Sequence, residues 1–149
     1  MIGVHKTRRF FSHQEKERIM ATIQQAEDQT SGEIRVHVES GDGGDPIARA
    51  KAVFVKLGMD QTALRNGVLI YLAVVDHKFA IIGDRGIDAV VPANFWETTK
   101  DEMRLLFRQG QFAAGVCRGI ASVGQHLKQH FPCQKDDVNE LTDEISEGY

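Results

Sequence analysis

The sequence predicts an α/β fold, a three-layer α/β/α sandwich with a small mixed sheet of three to four strands and about four helices. Two observations carry this prediction. Segments with the helical spacing of apolar residues alternate along the chain with short segments typical of strands. A predicted helix separates the first two strands, which favours a parallel pair, and a tight turn separates the second from the third, which favours an antiparallel pair.

The first helix and the first strand follow from residues 12–39. Ser12 and Glu15 form a capping-box pattern, with a hydroxyl at the N-cap and a carboxylate three residues later. Apolar residues then recur at helical spacing, which predicts a helix over residues 12–29. Residues 33–39 alternate between apolar and polar side chains, which predicts a strand buried chiefly on one face.

The middle of the chain predicts a helix and then a hairpin. Residues 45–46, Asp-Pro, are typical of an N-cap and the first position of a helix. Residues 68–75 are eight apolar residues in a row, as in a central strand covered on both faces. A tight turn at residues 76–77 leads into a third strand over residues 79–82.

Two helices complete the predicted domain. Apolar residues at helical spacing predict one helix over residues 93–108 and a longer one over residues 112–131. Gly110 separates them, and Gly115 and Gly119 would let the last helix lie close to a neighbour. We therefore expect the C-terminal part of the domain to be a closely packed helix pair.

Three segments are predicted: an N-terminal arm over residues 1–11, the α/β domain over residues 12–133, and an acidic tail over residues 134–149. The tail carries one lysine against six acidic residues and has little to bury, so we expect it to be mobile. The length of 149 residues suits a single domain.

Composition excludes several functional classes. A net charge of −3 disfavours a dedicated nucleic-acid binder. No apolar run reaches the length of a membrane-spanning helix, and the N-terminus lacks the apolar stretch of a secretory signal. Two cysteines cannot form a disulfide framework. These features predict a cytoplasmic domain.

The predicted topology gathers acidic residues at the carboxyl ends of the first two strands, the edge where open α/β sheets usually bind ligands. We call this the carboxyl-end edge, and its candidate ligands are Asp42, Asp45 and Asp76. Carboxylates and loop carbonyls suit a hard cation such as calcium or magnesium. The alternative is that Asp45 only caps a helix and the nearby glycines only form a turn.

A second polar group is predicted at the opposite end of the strands, which we call the amino-end edge. Its candidate cation ligands are Glu33, Asn66, Asp84 and Asp88, and the neighbouring arginines are Arg65 and Arg85. Asp84 lies in a Gly-x-x-Gly segment, where an aspartate can serve as a turn former or as a ligand. Both interpretations remain open from the sequence.

A zinc site is disfavoured. His126 and His130 lie one helical turn apart and Cys133 follows, which imitates half of such a site. A closed zinc site needs four ligands, and no further histidine or cysteine has a suitable position. We interpret these residues as the polar flank of the last helix.

Five segments taken together resemble the TPM domain family. They are Ser31–Val36, Leu57–Met59, Arg65–Ile70, Ile82–Asp88 and Phe107–Phe112, the last followed by Gly115, Gly119 and Ile120. The resemblance covers about residues 12–131. It implies a small α/β/α sandwich, which agrees with the prediction from the residues.

The resemblance also implies two kinds of activity. Members of this family are described as acid phosphatases and as proteins that bind divalent cations, calcium among them. Exported members commonly carry Gly-x-Gly-Leu-Glu after the third strand, whereas here residues 83–88 form a turn one residue longer. Because Glu33, Asn66 and Asp84 lie within the family-like segments, the resemblance favours the amino-end edge for the cation.

Two functional hypotheses follow. The first is a protein-interaction module that responds to a divalent cation and meets a protein partner. The second is a metal-assisted hydrolase of phosphate monoesters, in which Asp76 or Asp84 is the acid and Arg65 or Arg85 holds the phosphate. The sequence favours the first, because it shows no evident pair of nucleophile and base.

Overall fold

The computed structural model describes residues 10–133 and 144–148. Its elements, in chain order, are α1 (His13–Glu27), β1 (Glu33–Glu39), α2 (Pro46–Lys56), a 3₁₀ turn (Met59–Gln61), β2 (Gly67–Ala73), β3 (Lys78–Gly83), α3 (Arg85–Asp88), α4 (Glu97–Arg108), α5 (Phe112–His130) and β4 (Ser146–Gly148). The described residues thus form a four-stranded sheet with helices on both sides, which confirms the predicted α/β fold.

The sheet is mixed, with the strand order β3-β2-β1-β4. β1 runs parallel to β2, with Val36 opposite Ile70, and β2 runs antiparallel to β3. Both pairings were predicted, from the helix that separates the first two strands and from the tight turn that separates the second and third. The parallel pair places the carboxyl ends of β1 and β2 at one edge of the sheet, beside the hairpin turn between β2 and β3.

The helix starts expected from the sequence are present. The Ser12 hydroxyl accepts a hydrogen bond from the Glu15 backbone N–H at 3.1 Å, and the Glu15 carboxylate accepts one from the Ser12 N–H at 2.8 Å. At the start of α2, the Asp45 carboxylate accepts hydrogen bonds from the N–H groups of Ile47 and Ala48, both at 3.1 Å. These local bonds satisfy N–H groups that a helix leaves unpaired at its first turn.

Two hydrophobic cores lie on the two faces of the sheet. The main core fills the space between the sheet and helices α1, α4 and α5, and the second core lies between the sheet and α2. Alternate residues of β2 enter the two cores, as Ile70 and Tyr71 show, and all seven residues of the strand are buried. The uninterrupted apolar run therefore reflects burial on both faces.

β2 ends two residues earlier than predicted. Its last pair with β3 joins Ala73 and Lys78, so Val74 and Val75 belong to the hairpin turn, where Val75 is 59% exposed. His77 completes the turn with a φ of +56°. The apolar run alone overestimates the strand, because hydrophobicity does not mark where the ladder to β3 stops.

The connection between β3 and α4 also differs from the prediction. Residues 83–88, predicted to break the strand as a turn, contain the short helix α3, capped by the Asp84 carboxylate. The helix predicted from residue 93 begins at Glu97. Trp96 precedes it and is buried in the main core.

The close packing predicted for the last helix is confirmed. A Cβ atom built on Gly119 would lie 2.5 Å from the Met103 sulfur of α4. One built on Gly115 would overlap the Phe107 ring. Only glycine at these two positions lets α5 approach α4 so closely.

Both ends of the predicted domain extend further than expected. Phe10 and Phe11, assigned to the N-terminal arm, pack with the main core. Residues 144–148, assigned to a mobile tail, place Ile145 against the main core and form β4, which runs parallel to β1. The remaining residues of the predicted arm and tail, 1–9, 134–143 and 149, lie outside the described part of the chain.

The central position of β2 predicts a stability effect. Ile70→Ala should lower the free energy of unfolding by about 2–5 kcal/mol, because it leaves a cavity in the main core. The matched control is Val75→Ala in the exposed hairpin turn, which should cost less than about 0.5 kcal/mol. Urea denaturation measures both, and equal costs for the two variants would contradict the central position.

The pairing of β4 with β1 predicts a second effect. Deleting residues 144–149 should lower the free energy of unfolding by about 1–2 kcal/mol, because it removes strand pairing and the contact of Ile145. The control is Glu147→Gln, which removes only the 2.8 Å ion pair with Lys16 of α1 and should cost less than about 1 kcal/mol. A deletion variant that melts like the intact chain would show that β4 contributes nothing.

Candidate functional site

The carboxyl-end edge brings Asp42 and Asp76 together. Asp42 follows β1 and Asp76 lies in the hairpin turn, and the Asp42 backbone N–H donates a hydrogen bond to the Asp76 carboxylate at 3.0 Å. The N–H groups of Val74 and Val75 donate to the carbonyls of Glu39 and Ser40, both at 2.9 Å. These bonds hold the loop after β1 against the hairpin turn.

Asp42 has one carboxylate oxygen that lacks a hydrogen-bond partner among the described residues. Its side chain is fully buried, and its Oδ1 accepts a hydrogen bond from the Gly44 N–H at 2.7 Å. Its Oδ2 is buried without a hydrogen bond, and the ammonium of Lys78 lies 3.9 Å away. A buried carboxylate oxygen in this state costs free energy that a better-placed cation would recover.

Asp45, the third candidate at this edge, serves as the N-cap of α2. Its Oδ1 accepts both hydrogen bonds of the cap, and the residue itself is exposed. Between Asp42 and Asp45 the chain turns through Gly43 and Gly44, whose φ angles of +72° and +104° favour glycine. The capping role that the sequence left as an alternative is therefore present.

At the amino-end edge, Asp84 is already paired with an arginine. Its two carboxylate oxygens accept hydrogen bonds from Arg65 at 2.8 Å and 3.1 Å, and its Oδ1 also accepts the Arg85 backbone N–H at 2.7 Å. This bidentate geometry suits a guanidinium and a carboxylate well. The charge of Asp84 is thereby balanced within the chain.

The other candidates at the amino-end edge lie around the start of the strands. Glu33 is buried at the first position of β1, and its backbone N–H donates to the Asn66 carbonyl at 3.3 Å. The Asn66 side chain is buried, and its amide nitrogen has no partner among the described residues. Asp88 is exposed on α3. An amide nitrogen is a donor, so this unpaired group calls for an acceptor and not for a cation.

The two arginines proposed to hold phosphate differ. Arg65 uses its guanidinium to bind Asp84, which raises the pKa of the arginine, and its backbone adopts a left-handed φ of +51°. Arg85 is exposed on α3. A phosphate at this edge would have to compete with Asp84 for Arg65.

The residues that imitate a zinc half-site have other contacts. His126 Nδ1 donates a hydrogen bond to the Ser122 carbonyl at 2.8 Å, and the rings of His126 and His130 pack edge-on against Phe95. Across residues 10–133 and 144–148, no three His, Cys, Asp or Glu side chains form a group that could hold a metal ion. A cation site here would need backbone carbonyls, amide oxygens or water in its coordination shell.

A buried charged network lies on the second-core face of β1. The Glu39 carboxylate accepts two hydrogen bonds from Arg49 of α2, at 2.7 Å and 2.8 Å, and one from the Tyr71 hydroxyl of β2. His37 Nε2 lies 3.0 Å from the same carboxylate. Glu39 is therefore hydrogen-bonded to one residue of its own strand, one of β2 and one of α2.

These contacts shift the titration of every member of the network. Burial alone would raise the pKa of the Glu39 carboxyl, but the hydrogen bonds from Arg49, Tyr71 and His37 outweigh burial and lower it to about 2. Burial, together with the hydrogen bond to Glu39, raises the pKa of Tyr71 above its ordinary value. Burial lowers the pKa of His37 despite its bond to Glu39. Glu39 is therefore ionised and His37 neutral at pH 7.

The network extends to β4 through His37. Because an ionised carboxylate can only accept, His37 Nε2 donates to Glu39 and leaves Nδ1 as an acceptor. The Ser146 hydroxyl, 2.9 Å from Nδ1, then donates to it. The arrangement has the order of a Ser-His-Glu relay, but the lowered pKa of His37 makes it a poor base. We therefore interpret the bond from Ser146 as an attachment of β4.

The sequence holds a partial signal for this network. Alternation along β1 places His37 and Glu39 on one face, and the uninterrupted apolar run of β2 contains one hydroxyl, that of Tyr71. A buried tyrosine hydroxyl usually has a hydrogen-bond partner. The register that sets His37 opposite Tyr71 is a property of the folded sheet.

The sequence matches the family model of the TPM domain over residues 4–126. The chain belongs to the TPM domain family. The resemblance inferred from the five segments is thus confirmed. No curated protein matches the sequence.

Three solved structures are similar to this TPM domain. The BA42 protein of the psychrophilic bacterium Bizionia argentinensis is 46% identical, with a TM-score of 0.90 over 97% of this chain and 99% of its own. The N-terminal domain of a Porphyromonas gingivalis protein has 20% identity and a TM-score of 0.66, over 85% of this chain and 86% of its own. The N-terminal domain of the cg2496 protein of Corynebacterium glutamicum has 20% identity and a TM-score of 0.61, over 78% of this chain and 73% of its own. The last two show a shared fold.

No helix in the described part of this TPM domain has both the length and the apolar character that a membrane crossing needs. The longest described helix, α5, carries Arg118 and Lys128 among its nineteen residues.

The Glu39 network predicts how acid affects stability. The folded-state pKa of about 2 lies below the ordinary value of 4.5, so ionised Glu39 stabilises the fold above pH 4.5 and this contribution disappears as the pH falls toward 2. The contribution is of the order of 3 kcal/mol, at about 1.4 kcal/mol per pKa unit. Glu39→Gln should lower stability at pH 7 and flatten its dependence on pH below 4.5.

Urea denaturation at several pH values measures this effect. The matched control is Glu17→Gln, at an exposed position of α1 that pairs with His13 at 2.9 Å. It should keep the acid dependence of the unchanged chain. If the Glu39→Gln variant loses stability as steeply below pH 4.5 as the unchanged chain does, Glu39 is not the source of the acid dependence.

Proposed function

We propose that this TPM domain binds a divalent cation, calcium in preference to magnesium, at the carboxyl-end edge and that the cation controls its contact with a protein partner. The observation that supports the proposal is the buried Asp42 Oδ2, which has no hydrogen-bond partner among the described residues. The setting is the cytoplasm, as predicted from the sequence.

The chemistry of the edge suits a hard cation. Asp42 Oδ2 and the Asp76 carboxylate supply oxygen ligands from two loops that the hydrogen bond between these residues already joins. Backbone carbonyls of the loop and water would supply the others, since calcium takes six to eight oxygens and tolerates irregular geometry better than magnesium does. The ion pair of Asp42 Oδ2 with the Lys78 ammonium is too long for a hydrogen bond, at 3.9 Å, so a cation at shorter distance would compete with it.

The carboxyl-end edge is better supported than the amino-end edge that the family resemblance favoured. Asp84 binds Arg65 through both of its oxygens, and a cation there would have to displace a bidentate guanidinium. Asp42 offers an oxygen without such competition. Glu33, Asn66, Asp84 and Asp88 stay as the alternative set, and the experiment below distinguishes the two edges.

The same edge carries the surface for a protein partner. Ile47, at the start of α2, is 52% exposed, and Val75, in the hairpin turn, is 59% exposed. A cation bound to Asp42 and Asp76 would fix the loop and the hairpin turn that present these side chains. The partner would then meet an ordered apolar surface only in the presence of the cation.

The hydrolase remains the second function to test, because the family resemblance implies it. The structure gives it less support than the interaction module. Arg65 would have to leave Asp84 to hold a phosphate, and His37, which lies 2.9 Å from the Ser146 hydroxyl, has a lowered pKa. The same calcium experiment, followed by addition of a phosphate monoester, separates binding from turnover.

Calcium added to the metal-free protein should shift the backbone amide resonances around Asp42 and Asp76 in a saturable manner. Asp42→Asn keeps an acceptor for the Gly44 N–H but removes the charge, and it should weaken calcium binding at least tenfold. Asp84→Asn should leave binding within about twofold. The control for the loss of one charge is Asp28→Asn, at an exposed position at the end of α1.

Each result assigns the function differently. If calcium-induced amide shifts are lost in the Asp84→Asn variant but kept in the Asp42→Asn variant, the site lies at the amino-end edge. An absence of calcium shifts in the unchanged protein would reject the cation proposal. Phosphate-ester turnover abolished by either substitution would assign the domain as a hydrolase.

A further inference from the structure

A cavity of about 360 Å³ lies beside the β2–β3 hairpin, and neither Asp42 nor Asp76 lines it. Its walls come from the first described residues, the hairpin and the facing ends of α4 and α5. Apolar, aromatic and basic side chains line it. This volume lies within the range of about 300–1,000 Å³ typical of small-molecule sites.

The wall of the cavity is aromatic. The rings of Phe79 and Phe107 meet edge to face with their centroids 5.2 Å apart, and Phe112 stacks on Phe107 at 5.9 Å. Phe10 meets Phe112 at 5.3 Å. These four rings are only partly buried, so the cavity offers apolar surface that a ligand could cover.

The polar groups that line the cavity are basic. Lys78 and Arg108 are exposed, and so is His77, while Arg104 lies with its guanidinium 5.6 Å from the centre of the Phe79 ring. None of the twelve lining residues is acidic. Arg104 is paired with Asp101 of its own helix, whereas Arg108 has no ion-pair or hydrogen-bond partner for its side chain among the described residues.

We propose that this cavity binds a small amphipathic anion, with an aromatic or medium-length acyl group against the phenylalanines and a carboxylate or phosphate facing Arg108 and Lys78. A neutral apolar ligand would leave the basic side chains without a counter-charge, and a cationic ligand would be repelled. The modest volume favours a small molecule over a folded partner. The lining includes none of the proposed cation ligands, although Lys78 also lies 3.9 Å from Asp42.

Octanoate and octyl phosphate test the site, because both have a hydrocarbon chain of similar length and they differ in the anionic group. Each is titrated into the full chain in EDTA, with the backbone amides of the lining residues observed. EDTA removes divalent cations, so the result does not depend on the cation proposal. We expect saturable binding with a Kd of roughly 1 mM or lower. Octanol, which lacks the charge, and acetate, which lacks the chain, should bind at least tenfold more weakly.

Two variants assign the contacts. Arg108→Gln should weaken the binding of octanoate about threefold, as expected for the loss of one exposed charge pair, and should leave the binding of octanol unchanged. Arg18→Gln, an equal change on the exposed face of α1, should have no effect. Val74→Phe places a ring into the cavity from the half-buried hairpin turn and should weaken octanoate and octyl phosphate at least tenfold.

Specific outcomes would overturn the proposal. Octanol that binds as tightly as octanoate would show that the basic groups select nothing. Amide shifts that avoid the lining residues, or that persist in a folded Val74→Phe protein, would place the ligand elsewhere. An acidic phenylalanine-containing peptide that binds more tightly than octanoate would assign the cavity to a protein partner.

Discussion

The bonds to the Glu39 carboxylate are the interaction on which the arrangement of the sheet most depends. One buried anion accepts hydrogen bonds from α2 through Arg49 and from β2 through Tyr71, and it orients His37. Through the other nitrogen of that imidazole, the same bonds reach Ser146 of β4. Breaking a buried ionic group of this kind is costly, because the remaining partners lose their counter-charge. The network thus fixes where the second layer of the sandwich and the last strand lie relative to β1.

Much of the fold could be predicted because its signals are local. The caps at Ser12 and Asp45 depend on residues two or three positions apart, and the alternation of residues 33–39 is visible in seven residues. β4 gave no such signal. The strand is short and has no apolar side chain. It forms because β1 offers an unpaired edge and because the preceding Ile145 reaches the main core. The stabilising contacts lie more than a hundred residues away in sequence, as between Lys16 and Glu147.

The candidate sites were predictable only in part, for a related reason. Topology alone correctly brought Asp42 and Asp76 to one edge. It did not reveal that Asp84 is held by Arg65, because side-chain pairing across two loops leaves no periodic pattern. The aromatic cavity was missed altogether, since Phe10, Phe79 and Phe112 are far apart in sequence and each alone resembles an ordinary core residue.

Lys78 belongs to both proposed sites, and this shared residue has a thermodynamic consequence. Its ammonium lies 3.9 Å from Asp42 and also lines the aromatic cavity. A cation that neutralises Asp42 removes the nearby negative charge from Lys78 and makes the potential in the cavity more positive. An anion in the cavity must then strengthen cation binding by the same factor, because coupling between two equilibria is reciprocal. If both proposed ligands bind, the charge of Lys78 would thus make each of them strengthen the binding of the other.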